Sequence, residues 1–229
     1  MLGEMKIMKK LLPEYKDKWN HYEIGNIKFI NNHKNHPAKM DFILHVIKKV
    51  KIKSIVEIGG GELIEAEGCR VICPNYTVID ISDTFLKYAK DLRFKCIKCD
   101  MIELDAVIKD KQFDLLYAAG VLEHSPDIVK TIKGMSVISE RFFLSLFKWR
   151  VNGGSLNSHY DDERKYFTTA FNIFDLIRLI KDSADIDEIY LLTKEGTYLN
   201  YNQYISKFPV NNSQVQRDQS RLIITGKWN

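Results

Sequence analysis

Glu57, Gly59, Gly60, Gly61, Asp80 and Asp100 have the types and spacing to meet a ligand of nucleotide kind. The three glycines follow the short apolar run Ser54-Ile55-Val56-Glu57-Ile58. Glycines placed after a strand let the backbone turn sharply and approach a ligand closely. Asp80 stands 21 residues beyond Gly59, at the end of the run Tyr76–Ile81. A carboxylate there can accept two hydrogen bonds from a ribose diol and would repel a ribose phosphate. Asp100 closes the run Phe94–Cys99. It can accept from an adenine amino group, with Met101 packed on the ring.

These residues need a frame that delivers them to one edge. Ile43, Val46, Ile47 and Val50 recur at helical spacing and predict a helix with one apolar face. Lys48, Lys49 and Lys51 crowd its end, which suits the negative end of the helix dipole. Strands are expected at 54–58, 76–81, 94–99, 113–118 and 141–147, each an apolar run closed by polar or glycine residues. Between them the pattern predicts a short helix around Glu62–Glu67 and a helix with face Phe85, Tyr88, Ala89 and Leu92, capped by Ser82 or Asp83. It further predicts a weak helix near Ala106–Lys109 and one carrying Ile128, Ile132 and Met135. Alternation of this kind implies an α/β fold. A doubly wound, mostly parallel sheet has helices on both faces, with ligands beyond the carboxyl ends of its strands. After residue 148 the pattern changes. Ile173, Leu176, Ile177 and Ile180 form another helical face. Ile186–Thr193 and Leu222–Gly226 are expected as an antiparallel pair at the sheet edge, and Asn211–Ser220 as a polar loop.

The runs VEIGGGE at 56–62, VIDIS at 78–82, CDM at 99–101 and FDLLYAAGVLEHSPD at 113–127 resemble the class I S-adenosylmethionine-dependent methyltransferases. VLEH after a strand that starts with FD is the most specific piece, and the likeness covers roughly residues 43–148. The resemblance implies a Rossmann-like fold and S-adenosyl-L-methionine as cofactor. By it, Glu57 and Gly59 to Gly61 would line the methionine part. Asp80 and Ile81 would hold the ribose, and Asp100 and Met101 would frame the adenine. Ala119, Gly120 and Val121 would close the site near the sulfonium. The chain departs from the family where Leu63 replaces a usual glycine, making the loop bulkier. It also has Val137-Ile138-Ser139-Glu140 in place of a Gly-Gly turn before the fifth strand. A nicotinamide enzyme is the rival. Its glycine pattern needs a small residue where Ile64 stands.

Methyl transfer is a displacement in which alignment dominates. A base is needed mainly for a hydroxyl or ammonium acceptor. Histidine suits that role. His124, His159 and Tyr160 are the candidate catalytic residues, the last two in a polar and aromatic stretch running to Thr168. No Asn-Pro-Pro-Tyr-like run follows the fourth strand, which argues against adenine methylation in DNA. A small-molecule or sugar-like acceptor is expected, methylated at oxygen or nitrogen. The alternatives are a catalytically inactive cofactor-binding scaffold and an RNA methyltransferase.

The RNA alternative comes from the first 53 residues, which hold 12 Lys against 5 Asp or Glu and four of the six histidines. A basic arm of this kind suits an anionic partner such as nucleic acid. Residues 1–42 are expected as a helical arm or lid, with Trp19, His21, Tyr22, Phe29, His33, His36 and Pro37 among its aromatic, histidine and proline residues. Residues 43–229 are expected as the methyltransferase domain, with a cofactor half over 43–148 and an acceptor half over 149–229. Cys69-x3-Cys73 and Cys96-x2-Cys99 have zinc-like spacing. Residues three apart on a strand point to opposite faces, so no metal is expected. With no apolar run of membrane-spanning length and no signal core, a cytoplasmic location is expected.

Overall fold

The computed structural model describes residues 13–21, 37–150, 153–193, 198–200 and 219–229. Residues 13–20 form helix α1. Helix α2 spans Pro37–Val50 and turns its predicted face inward, with Ile43, Val46 and Ile47 buried. It leads into strand β1 (Ser54–Ile58), every residue of which is buried. Helix α3 (Ala66–Ile72), β2 (Asn75–Asp80), α4 (Asp83–Asp91) and β3 (Lys95–Lys98) follow. Then come the short α5 (Leu104–Val107), β4 (Phe113–Ala119), α6 (Ile128–Ile138) and β5 (Ser139–Leu146). Short strands β6 (Trp149–Arg150), β7 (His159–Asp161), β8 (Tyr166–Thr168) and β9 (Phe171–Asn172) precede α7 (Ile173–Lys181). Strands β10 (Ala184–Thr193), β11 (Tyr198–Asn200) and β12 (Gln219–Trp228) complete the described elements.

Eight strands form one sheet in the order β11-β10-β12-β5-β4-β1-β2-β3. Strands β1 to β5 are mutually parallel. Strand β12 runs antiparallel to both β5 and β10, and β11 antiparallel to β10. The expected α/β fold and its antiparallel edge are therefore present, with β10 and β12 longer than their apolar runs and β11 outside them. The chain moves outward from β1 through β2 to β3, then returns to lay β4 on the other flank of β1. That reversal opens a crevice above β1 and β4, where ligands of such sheets bind.

The sheet separates two apolar clusters. Val56 and Ile58 of β1 join Leu116, Ala118, Phe142 and Leu144 on one face. Ile55 joins Leu115, Tyr117 and Phe143 on the other, beneath Ile43 and Ile47 of α2. Cys96 and Cys99 fall against opposite clusters, as their spacing on a strand requires. All four cysteines are free thiols. Among the described residues no helix is long and apolar enough to cross a membrane.

Side chains set the helix starts. Ser82 accepts from the backbone N–H of Phe85 and caps α4, while Asp127 and Asn172 cap α6 and α7. One helix lies later than its sequence suggests. The expected segment Glu62–Glu67 is mostly turn, and α3 begins at Ala66. Gly61 and Leu63 both have positive φ, at 51° and 55°, so a right-handed helix cannot include them. Most of the stretch 211–220, expected as a loop, lies outside the described residues, and its last two residues open β12.

Trp228 sits under the sheet edge. Its ring lies 4.2 Å from that of Phe142, and its indole N–H donates to Ser139 Oγ at 3.1 Å. Trp228→Ala removes both contacts and leaves a cavity, for an expected loss of about 3–5 kcal/mol in urea unfolding. Trp228→Phe should retain most of the packing and lose about 1–2 kcal/mol.

Candidate active site

The carboxyl ends of β1, β2 and β4, with the loop after β3, place the sequence-predicted residues along one edge. Gly59 follows β1 with φ +65°, and its N–H donates to the carbonyl of Ile79 at 2.8 Å. A Cβ on Gly59 would overlap the Val121 side chain, so this close approach of two loops requires glycine. Gly61 faces open space and its N–H points at Asp80 Oδ2, 3.5 Å away. Leu63, at the departure from the family pattern, keeps the left-handed backbone that glycine would adopt. Its side chain is buried in the cluster under α2, not in the crevice.

Asp80 is buried, and its Oδ1 accepts from Ser82 N–H at 2.8 Å. Burial pushes its carboxyl up to about 6, against the pull of the Ser82, Gly61 and Ile81 N–H groups. Asp100 is also buried, and its Oδ1 accepts from Ile102 N–H at 3.3 Å. Burial raises this carboxyl as well. Asp100 Oδ2 has no hydrogen-bond partner, although Lys16 Nζ stands 3.5 Å away at ion-pair distance. A buried acceptor answered only by a distant ammonium is costly, and a ligand amino group would satisfy it. Ile81 and Met101 follow the two acids, Met101 being buried.

Glu57 is buried and its Oε2 accepts from the Tyr76 hydroxyl at 2.9 Å. Ala119, Gly120 and Val121 carry β4 into the crevice. Gly120 has φ +66° and lies against the Phe147 ring and the Arg221 guanidinium. His124 follows on a 3-10 turn. Its Nδ1 is 3.0 Å from the Phe167 carbonyl oxygen. A carbonyl only accepts, so Nδ1 carries the proton and Nε2 presents a lone pair. Burial lowers the imidazole to about 4; the Phe167 bond opposes this and the Lys148 charge adds to it. The rings of Trp19, Tyr166 and Phe147 surround it at 5.3, 5.0 and 5.9 Å.

His159 and Tyr160 lie elsewhere. His159 is exposed on β7, and the Tyr160 hydroxyl donates to Glu14 Oε2 at 3.3 Å. Of the predicted arm residues, Trp19 reaches the crevice and His21 pairs with Asp17 on the surface. Tyr22, Phe29, His33 and His36 lie outside the described residues.

Sequence reasoning missed Tyr15, Lys16, Glu123 and Arg221. Tyr15 is buried against Phe167 and close enough to Asp100 and Asp80 for both charges to raise its hydroxyl further after burial. Tyr15 and Trp19 are four apart, which puts both on one face of α1; that spacing was the available signal. The end of α1 is tied down by Ser82 Oγ donating to the Trp19 carbonyl at 2.6 Å and by Asp83 N–H donating to Asn20 Oδ1 at 2.8 Å. Glu123 is fully buried, and its Oε1 accepts from the N–H groups of Phe147 and Lys148 at 2.5 and 3.3 Å. A groove lined by Val46, Lys49, Leu115, Arg141 and Asp187 lies at the opposite, amino ends of the strands. Its Arg141 and Asp187 pair with each other at 2.7 Å.

Residues 56–138 match the family described as a methyltransferase domain. No curated protein matches the chain. Among solved structures, Burkholderia thailandensis 1,6-didemethyltoxoflavin-N1-methyltransferase with bound 1,6-didemethyltoxoflavin and S-adenosylhomocysteine aligns with TM-score 0.59 at 14% identity. The alignment covers 97% of this chain and 87% of that one. An S-adenosylmethionine-dependent methyltransferase from Mesorhizobium loti aligns with TM-score 0.53 at 13% identity, over 76% of this chain and 90% of its own. The N-methyltransferase NodS from Bradyrhizobium japonicum WM9, in complex with S-adenosylhomocysteine, aligns with TM-score 0.53 at 13% identity, over 85% and 88%. These likenesses show the Rossmann-like methyltransferase fold. The matched methyltransferase domain and these likenesses together support S-adenosylmethionine as the cofactor. The crevice suits that cofactor on its own terms: Asp100 Oδ2 meets only the Lys16 ammonium, at 3.5 Å, and a Cβ on Gly61 would have no neighbour nearer than the Gly59 carbonyl at 4.0 Å.

Two opposed pH effects follow from the shifted groups. Asp80, raised to about 6, holds its proton more tightly folded than unfolded, so acid favours the fold between about pH 6 and 4 through this group. His124, lowered to about 4, holds its proton less tightly folded, so acid opposes the fold between about pH 6.5 and 4. Urea unfolding across this window should show a steeper acid loss in Asp80→Asn and a flatter one in His124→Asn. Parallel profiles for wild type and both variants would contradict the two burial effects.

Proposed function

We propose that this chain transfers a methyl group from S-adenosylmethionine to an oxygen or nitrogen of a small-molecule or sugar-like acceptor, in the cytoplasm. The observation that carries the catalytic part is the fixed tautomer of His124, whose Nδ1 is committed to the Phe167 carbonyl. Its Nε2 lone pair is then available to an acceptor hydroxyl or ammonium.

Asp80 holds the ribose hydroxyls in this reading, with Ile81 beside it. Asp100 accepts from the adenine amino group and Met101 packs on the ring. Glu57 and Gly59 to Gly61 line the methionine part, and Ala119 to Val121 close over the reacting end. When bound, the cofactor supplies a methyl carbon on a positively charged sulfur, a strong leaving group. The protein's own work is alignment and the exclusion of water. The arm over residues 1–42 acts as a lid, supported by the docking of Tyr15 and Trp19 at the crevice. The acceptor half is drawn from residues 149–229, supported by Tyr166 and Phe167 packing around His124. A nucleic-acid acceptor draws its support from the basic arm alone, and Lys16 of that arm is engaged by Asp100 and Glu103.

His124 serves as the base, and His159 and Tyr160 stand outside the reacting centre, supported by the exposure of His159 and the Tyr160–Glu14 hydrogen bond. Calorimetry with S-adenosylmethionine and S-adenosylhomocysteine tests the cofactor part. Both should bind, and Asp80→Ala should weaken binding about 100-fold, the loss expected for two hydrogen bonds to a charged acceptor. Unchanged affinity in that variant would exclude the ribose role. His124→Ala should lower turnover by about 10² to 10⁴ with cofactor affinity intact. Because burial keeps the ring neutral, the wild-type rate should show no acid limb near pH 6.5 from this group.

A further inference from the structure

A second set of buried polar atoms sits beside the crevice. Arg221 on β12, Ser145 on β5 and Tyr117 on β4 are all buried, at 7%, 0% and 1% relative exposure. Arg221 Nη1, Ser145 Oγ and Tyr117 Oη each lack a hydrogen-bond partner. They belong to neighbouring strands, β12 beside β5 and β5 beside β4. They also share one face. Ser145 is opposite both Ala119 and Ile223; Arg221 lies two residues from it toward the carboxyl end of β5, and Tyr117, opposite Phe143, two residues toward the amino end. Burial and the Glu65 and Glu57 charges raise the Tyr117 hydroxyl, and the Arg221 charge lowers it, so Tyr117 belongs to the carboxylate side of this face. Arg221 and Ser145 stand toward the crevice, and two orphaned donors there call for an acceptor.

Arg221 stands at the reacting edge. Arg221 Nη1 is 3.2 Å from where a Cβ on Gly120 would stand. The Arg221 guanidinium carbon lies 5.4 Å from the centre of the Phe147 ring, and His124 lies 5.9 Å from that same ring. Phe147 is 38% exposed, so its face is available for contact. Lys148 Nζ stands 5.7 Å from the Phe147 ring. Glu123 offsets part of this positive charge, but its Oε2 is itself without a hydrogen-bond partner, so Arg221 does not bond to it. Around Phe147, two cations face one carboxylate. A single negative charge balances that set, and a phosphate dianion overshoots it.

We propose that Arg221, with the Ser145 hydroxyl, seats the carboxylate of a flat, small organic acid that is the acceptor, its body lying on Phe147 and its nucleophile toward His124. Phe147 borders both the guanidinium and the imidazole, which limits the acid to about the span of one substituted ring. Aromatic bodies stack on such a face at ring separations of about 4.5–7 Å. The proposal rests on the methyltransferase reading for the acceptor's role, but the carboxylate seat is testable by binding alone.

The test is calorimetric titration of benzoate, and of its neutral isostere benzamide, into the full chain, with and without saturating S-adenosylhomocysteine. Benzoate should bind, and benzamide should bind at least about tenfold more weakly. Arg221→Met should lose benzoate by a similar factor, Ser145→Ala by less, and Arg221→Lys should keep part of it. Thermal unfolding and S-adenosylhomocysteine affinity report whether each variant is folded. If Arg221→Met does not fold, the benzoate–benzamide comparison in wild type decides alone. Equal binding of the two probes, no binding of benzoate, or an Arg221→Met variant that folds and retains benzoate would overturn the proposal. Benzoate binding without S-adenosylhomocysteine binding would uphold the seat and overturn the methyltransferase reading instead.

Discussion

Asp80 and Asp100 are held out of water at the carboxyl ends of neighbouring strands, and much of the surrounding structure keeps them there. Burying a carboxylate costs several kcal/mol unless it is answered by donors or opposite charge. The chain answers with backbone: Ser82 and Gly61 N–H groups at Asp80, Ile102 N–H and the Lys16 ammonium at Asp100. The answer is incomplete, since burial still raises both carboxyls and Asp100 Oδ2 keeps no hydrogen bond. An arrangement optimised only for stability would have replaced these groups. Their retention fits a crevice whose acids are completed by a ligand.

The glycine bend and the arm follow from the same constraint. Gly59 can pass close to Val121 only without a side chain, and that approach joins the β1 and β4 loops into one rim. Helix α1 then closes the rim from the other side. Tyr15 packs on Phe167, Trp19 packs on His124, and the carbonyl of Trp19 receives the hydroxyl of Ser82, two residues beyond Asp80. The Phe167 carbonyl fixes the His124 tautomer while the Phe167 ring carries Tyr15, so the lid helix and the imidazole share one support.

Much of this frame was legible in the chain itself. The alternation of apolar runs and helical faces located β1 to β5, and the acids closing two of those runs marked the rim. VLEH located His124, although its tautomer depends on Phe167, 43 residues away. Leu63 read as a lost glycine, yet its backbone keeps the left-handed turn and its side chain packs into the core. Arg221 was hidden because one arginine in an apolar strand reads as edge or surface. It comes near Gly120 only because β12 inserts between β5 and β10. Lys16 looked like part of a basic surface, and only the fold brings its ammonium to Asp100.

The most direct test is a crystal structure of the chain with S-adenosylhomocysteine. The ribose hydroxyls should lie within hydrogen-bond distance of Asp80, and the adenine amino group should donate to Asp100 Oδ2, with Lys16 drawn aside. A nucleoside bound elsewhere, or bound in this crevice with neither acid touching it, would contradict the account.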